Sequence, residues 1–454
     1  MEAKTPLAII TLAAGKGTRM KSDLHKVLHP IAGLPMIEHL LASAAALNPA
    51  MSVVIAGHGR DQLEARLGDG AIIAVQDPQL GTAHAVQQAE AALSGFAGDV
   101  LILYGDVPFV TAATMQRMLD RLHEKDRPLC VALGFRPADP GAYGRIVTED
   151  FRTISYMVEF KDASKTERKI DLCNSGLMAV RAEELFPLLA KVTNTNAAGE
   201  YYLPDMVMLG MKQGRVSAVI ETGADEVAGI NSRTELAEAE GRWQAVRRRR
   251  AMDDGATLIA PDTVWFAWDT VLGRDVTIEP NVYFGPGVTV ADNVKIRANC
   301  HLEGAQIASG CEVGPFARLR PGTVLETKAK IGNFVEVKKS VMGAGAKASH
   351  LSYIGDAEVG AGANIGAGTI TCNYDGYFKY KTVIGERAFI GSNSALIAPV
   401  KIGADAIVAA GSAVTRDVAA GELRLVRGEQ LVKPGWADRF HDAMKKKKAA
   451  EKKG

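Results

Sequence analysis

The sequence predicts an α/β chain in two architectures, a layered α/β part followed by a parallel β-helix. Three observations predict it. Strand-like and helix-like segments alternate up to about residue 230; an amphipathic stretch follows; from about residue 252 aliphatic residues recur every six positions. At 454 residues the chain is long enough for about two or three domains. The expected boundaries are 1–230, a linker helix over 231–251, and 252–454.

In the first part, Ala8 to Leu12, Ser52 to Ala56, Ala71 to Val75, Val100 to Tyr104 and Leu129 to Gly134 read as strands. Thr82 to Leu93 and Ala112 to Leu122 read as amphipathic helices between them. That order implies helices covering a mostly parallel sheet, with ligands outside the carboxyl ends of the strands. In the linker, Ser232 and Glu235 have the spacing of a capping box. Leu236, Ala239, Trp243 and Val246 then repeat at helical spacing, and Arg247 to Arg250 suit the negative end of the helix dipole.

Leu272, Ile278, Phe284, Val290, Ile296 and Leu302 open the six-residue pattern. After a one-residue slip it continues through Ile307, Val313, Leu319, Leu325, Ile331 and Val337, and it returns from Ile384 to Val414. Neither a 3.6-residue helix nor a two-residue strand period produces this. A hexapeptide that makes one short strand and one corner does, and three of them form a triangular coil. Small residues after the aliphatic, as in "IGERAF", "IGSNSA" and "VGAGAN", are expected to let the backbone turn at each corner. Spacing leaves the hand of the coil open, and the general rule for parallel crossovers points to a right-handed one. "ITCNYDGYFKYKT", Ile370 to Thr382, cannot continue a face and is expected to leave the prism as a loop. The final "MKKKKAAEKKG" is expected to be disordered.

Fifty-three Lys and Arg nearly balance 52 Asp and Glu, so no global field draws the chain to nucleic acid or membrane. Small molecules are the expected partners. The five cysteines, Cys130, Cys173, Cys300, Cys311 and Cys372, match neither metal-ligand spacing nor a disulfide framework and are expected to be inert buried thiols. With no signal peptide and no apolar run near the ~20 residues of a membrane span, a cytoplasmic location is expected.

After the first strand comes "LAAGKGTRM", Leu12 to Met20. It lacks the third glycine of a dinucleotide fingerprint and the spacer of a P-loop. What remains is a glycine-rich turn whose bare N–H groups can approach phosphate, with Lys16, Arg19 and Lys26 supplying charge. This stretch resembles the signature of sugar-nucleotide pyrophosphorylases, and the likeness continues through "QLGTAHA", "YGDVP", "YGRI", "VEFKDA", "NSG" and "GIN". "GPFARLRPG", "GNFVEVKK", "HLSYIGD" and "NIGAGTITCNYDG" resemble the acetyltransferase half of the bacterial bifunctional family that joins N-acetylglucosamine-1-phosphate uridyltransferase to glucosamine-1-phosphate N-acetyltransferase.

The resemblance implies a Rossmann-like nucleotidyltransferase domain, a connecting helix and a left-handed hexapeptide-repeat β-helix. It implies acetylation of glucosamine 1-phosphate by acetyl-CoA, then UMP transfer from UTP to N-acetylglucosamine 1-phosphate with release of pyrophosphate. Two alternatives stand beside it: a single-activity pyrophosphorylase with a structural or regulatory β-helix, and a non-catalytic assembly subunit.

By the same resemblance Leu12, Gly15, Gln76, Gly81, Thr82 and Tyr104 contact the nucleotide, Arg19 and Lys26 steady the triphosphate, and Gly144, Glu159 and Asn174 hold the sugar. Asp106 and Asn231 are the implied Mg²⁺ ligands. In the second half His350 is the implied base, apt because its ordinary pKa is about 6.5. Arg320, Lys338 and Lys379 meet the sugar phosphate, and Tyr353 and Asn364 orient the sugar. Ala367, Asn373, Tyr374, Ser392, Ala410 and Arg427 match acetyl-CoA positions. The resemblance also implies a homotrimer.

Overall fold

The computed structural model describes residues 5–451 and separates into two compact units, Met1–Arg247 and Arg248–Gly454. The first holds a nine-stranded sheet made of Leu7–Ala13 (β1), Met51–Ala56 (β2), Ile72–Val75 (β3), Asp99–Tyr104 (β4), Cys130–Phe135 (β5), Arg145–Thr148 (β6), Ile154–Val158 (β7), Cys173–Arg181 (β8) and Ala218–Thr222 (β9). Its order is β9-β5-β8-β4-β1-β2-β3, with β6 paired to β8 and β7.

β1 is buried along its whole length because both faces of the sheet are covered. Ala8, Ile10 and Leu12 join one apolar cluster; Leu7 and Ile9 join the other. Each such aliphatic contributes about 1.5–3 kcal/mol. β1 runs parallel to β2 and β4, pairing Leu12 with Ile55 and Tyr104. The sheet is less parallel than expected: β8 runs antiparallel to both β4 and β5 and carries an irregularity between Asn174 and Met178. The expected helix from Thr82 is α-helical only over Thr82–Gln87, after which i→i+3 turns take over.

The linker helix spans Arg233–Asp253, and its predicted cap is present. The Ser232 Oγ accepts from the Glu235 N–H at 3.2 Å, while Glu235 Oε2 accepts from the Ser232 N–H at 3.0 Å. Ala239 is buried with Leu236 and Trp243 packed around it, against Ile31, Met36 and Ile230. Val246, expected on this apolar face, is instead 70% exposed. Of the arginine run, Arg248 is engaged locally, 3.1 Å from Asp262.

The second unit is a three-faced prism of parallel strands. The first face has ten strands from Thr257–Leu258 to Leu423–Arg424; the second has eight from Val271–Leu272 to Val400–Ile402; the third has eight from Tyr283–Phe284 to Ala413–Val414. The six-residue aliphatics line its interior, Phe284, Ile296, Leu302, Leu396 and Val414 each with no exposed surface.

The corners differ from the expectation. The left-handed backbone position lies three residues after the inward aliphatic, as at Asp275, Asn281, Asn293 and Asn299, where Asn and Asp tolerate positive φ. The small residue directly after the aliphatic serves another purpose. A Cβ on Gly385 would lie 2.5 Å from the Ala404 nitrogen, and one on Gly391 2.4 Å from that of Ala410. These glycines let one coil's backbone pass against the next.

The excursion leaves between Ile370–Cys372 and Thr382–Ile384, so the ends of the expected loop remain in the prism. The tail corrects a second expectation: Met444 to Glu451 is not disordered but completes an exposed helix, Trp436–Glu451, as its Met, Lys and Ala content favours. The last three residues lie outside the described range. All five cysteines are free, four of them buried, and no described helix is long and apolar enough to cross a membrane.

Gly391→Ala is expected to destabilise the second unit by about 1–3 kcal/mol through overpacking. Leu396→Ala should cost about 2–5 kcal/mol by leaving a cavity. Denaturant unfolding followed by tryptophan fluorescence measures both.

Candidate active sites

The carboxyl ends of β1, β3 and β4 form one rim in the first unit, as a parallel sheet requires of a ligand site. Two cavities open there. One, of about 360 Å³, is lined among others by Leu12, Gly15, Lys16, Lys26, Gln76, Gly81, Thr82, Tyr104 and Asp106. The other, of about 520 Å³, is lined by Arg19, Tyr104, Asp106, Gly144, Glu159, Asn174 and Asn231 together with further residues. Tyr104, Thr82 and Asp106 belong to both, so all the residues expected for the first half border one of two adjoining spaces.

Local structure explains how they arrive. Gly81 has φ of +116°, and a Cβ there would lie 2.5 Å from the Tyr201 carbonyl oxygen. That close approach brings the segment Glu200 to Tyr202 over the pocket, where sequence spacing offered no sign of it. Gln76 is buried and donates from Nε2 to the Gly81 carbonyl at 2.9 Å. A Cβ on Gly15 would meet nothing within 4 Å, so this loop presents open backbone. The irregularity in β8 places Asn174 on the second cavity, its Oδ1 accepting from the Gly176 N–H at 2.9 Å.

The site is electrically divided. Lys16, Arg19 and Lys26 stand on the β1 side. Glu159 stands on the other, where burial first, then Asp205, Asp162 and Glu200, raises its carboxyl above the ordinary range. Burial, followed by Glu159 and Asp106, raises the Tyr104 hydroxyl. Between the two sides Lys26 Nζ lies 2.5 Å from Asp106 Oδ2 and donates to Asn231 Oδ1 at 3.0 Å. The Ile230 N–H to Asp106 carbonyl bond, 2.9 Å, ties the end of this unit to the rim.

In the second unit His350 ends the strand Lys347–His350 on the first face and is exposed. Its Nδ1 lies 2.6 Å from Oδ1 of Asn333, its register partner one coil earlier. Asn333 sits in the quoted "GNFVEVKK", yet only coil stacking reveals the pairing. Asn364 aligns with Lys347 on the same face. The cations gather on the third face. Arg320 donates to Glu336 at 2.8 Å, and Lys338 is held below its usual range first by Lys379 beside it and then by the charge of Arg320. Tyr353 pairs in register with Glu336. Within one chain, therefore, His350 and this cluster occupy different faces.

In the excursion, Asn373 donates to Asp356 at 2.5 Å and Tyr374 is 59% exposed. The remaining expected coenzyme residues form a column on successive coils. The Asn393 N–H bonds the Ala367 carbonyl at 2.7 Å and the Gly411 N–H that of Ser392 at 2.8 Å, with Ala410 and the Arg427 stem against the same turns.

A nucleotide-type rim followed by a hexapeptide prism defines a transferase with two chemistries. Residues 9–162 match the MobA-like NTP transferase domain, 269–304 the six-repeat bacterial transferase hexapeptide, and 381–416 the hexapeptide repeat of succinyl-transferase. Proteins named bifunctional protein GlmU are 71% identical in Sphingopyxis alaskensis and 74% in Novosphingobium aromaticivorans, each over 99% of both chains. One from Zymomonas mobilis is 56% identical over 98% of this chain and all of its own. The chain belongs to the bifunctional GlmU family.

It is accordingly an enzyme with a uridyltransferase and an acetyltransferase activity, and its prism is a left-handed β-helix. Neither the single-activity nor the non-catalytic alternative is favoured.

The raised Glu159 carboxyl sets a stability prediction. Its folded pKa exceeds its unfolded one, so the charged form weakens the fold fully above the folded value and not at all below the unfolded one. Glu159→Gln should raise the melting temperature at pH 7, with the gain fading towards pH 4. Calorimetry across that range checks it.

Proposed function

We propose that the divided rim carries out uridyl transfer and that His350 serves acetyl transfer, with the roles that the matching motifs imply. The carrying observation for the first is the meeting of Lys26, Asp106 and Asn231 between a cationic and an acidic wall. UTP fits the cationic side, its phosphates facing Lys16, Arg19 and Lys26 and the open backbone at Gly15. Gln76 spends its amide N–H on Gly81, which leaves its carbonyl oxygen to accept from the uracil edge. Glu159, Asn174 and Gly144 bind the hexosamine.

Attack by a sugar-phosphate oxygen on the α-phosphorus forms one P–O bond, breaks another and releases pyrophosphate. Positioning and charge neutralisation supply most of the rate.

Mg²⁺ fits this donor set. The Asp106 carboxylate and the Asn231 carbonyl are hard oxygens that converge on one cationic position. Among the described residues no group of three His, Cys, Asp or Glu could hold a metal, so Asp106 and Asn231 would hold Mg²⁺ with the remaining positions left to phosphate and water. A bound Mg²⁺ would offset charge on the phosphates.

In acetyl transfer from acetyl-CoA, the glucosamine 1-phosphate amine attacks the thioester and the thiol leaves. Asn333 Oδ1 accepts the Nδ1 proton of His350, so Nε2 keeps the lone pair that takes the amine proton. Arg320, Lys338 and Lys379 receive the sugar phosphate, Tyr353 and Asn364 the sugar. Asn373, Tyr374 and the column of Ala367, Ser392, Ala410 and Arg427 receive the coenzyme. The separation of base and cations onto two faces supports a homotrimer that completes each site between subunits. The balanced charge and the free thiols support a cytoplasmic enzyme working on small molecules.

His350→Ala is expected to slow acetyl transfer by about 10²–10⁴-fold and to spare uridyl transfer. Asp106→Ala should do the reverse. Separate thiol-release and pyrophosphate-release assays test the pair; loss of both activities in either variant overturns the two-site reading.

A further inference from the structure

We infer that Lys26 is an exchangeable internal counter-ion, whose ammonium holds the divalent-cation position until nucleotide phosphates draw it away. The inference rests on the metal assignment to Asp106 and Asn231. Lys26 Nζ reaches both proposed ligands at once, at 2.5 and 3.0 Å, with the lysine and aspartate side chains only 12% and 17% exposed. An ammonium in that position and a divalent ion bound by the same two oxygens exclude each other by contact as well as by charge.

The surroundings favour exchange over a fixed structural pair. The Lys26 stem packs on Gly17 of the glycine-rich turn, where a Cβ would come within 2.6 Å of its own Cβ. Its side chain is therefore anchored at the base, beside the phosphate side of the rim, and the flexible stem beyond it carries the ammonium. Lys26, Lys16 and Gly15 line one cavity with Asp106, so both destinations of the ammonium border one space.

Charge counting gives the direction. Lys26 already neutralises Asp106, and Glu235, which touches the Asn231 backbone, is committed to capping the helix. A divalent ion added alone would have to take Asp106 and Asn231 from an ammonium that has no other anion in contact among the described residues. Added with a triphosphate, both cations find oxygen anions. Metal and nucleotide therefore enter as partners, and Lys26 passes from carboxylate to phosphate as they do.

Mn²⁺ binding to the full chain, followed by electron paramagnetic resonance without nucleotide, tests this apart from activity. Lys26→Met is expected to bind Mn²⁺ at least tenfold more tightly than the unsubstituted protein, and adding Asp106→Asn should cancel the gain. Lys26→Gln, which keeps a polar tip, repeats the test should the methionine variant misfold, with a gain of about fivefold or more. Equal or weaker Mn²⁺ binding by a folded Lys26 variant overturns the inference. The same titration with UTP separates it from the metal assignment. Mn²⁺ binding indifferent to Asp106→Ala removes both, whereas binding that needs Asp106 but ignores Lys26 removes only the counter-ion.

Discussion

One ammonium, one carboxylate and one amide carbonyl, from positions 26, 106 and 231, meet at a single point of the first unit. Little else in that unit makes functional sense without the convergence. It requires β1 and β4 to lie side by side so that the turns after them face each other. It also requires the chain, after β9, to come back to the rim, where the Ile230 to Asp106 backbone bond and the capped start of Arg233–Asp253 hold Asn231 in place. The acidic wall around Glu159 stands across the rim from the basic one of Lys16, Arg19 and Lys26.

The prism obeys a different constraint. At glycines that follow an inward aliphatic, such as Gly385, Gly391 and Gly403, its coils touch backbone to backbone, and a single added carbon there has nowhere to go. The left-handed corner residue is looser in identity: Asn and Asp recur, yet Phe316, Lys328, Phe334 and Arg387 also adopt positive φ. Stacking pays for that strain, since each corner is fixed by the coil on either side. The frame is rigid where the backbone needs it and permissive where side chains face outward, which is where Arg320, Lys338 and His350 stand.

These two constraints explain which features were legible in the sequence. The six-residue period, β1, the glycine-rich turn and the Ser232–Glu235 cap are local, and each is written in consecutive residues. The antiparallel β8, the irregularity after Asn174 and the arrival of Glu200 beside Gly81 depend on contacts between segments far apart in the chain. Asn333 could be recognised as part of a motif, but its pairing with His350 needs the register of two coils. Val246 misled because helical spacing says which residues share a face, not how far the covering partner extends. The role of the small residue in segments such as "IGERAF" and "IGSNSA" is hidden for a similar reason: a sequence shows that bulk is absent, and only packing shows whether torsion or clearance excludes it.

The excursion between Cys372 and Thr382 leaves the pairing on either side intact, Ala357 still opposite Thr382 and Thr382 opposite Val400. A solenoid can thus absorb a detour of many residues at a corner at no cost to its winding. Chemistry in such an architecture is modular: a reactive hairpin can be grafted, lengthened or exchanged while the scaffold that aims it goes on counting in sixes.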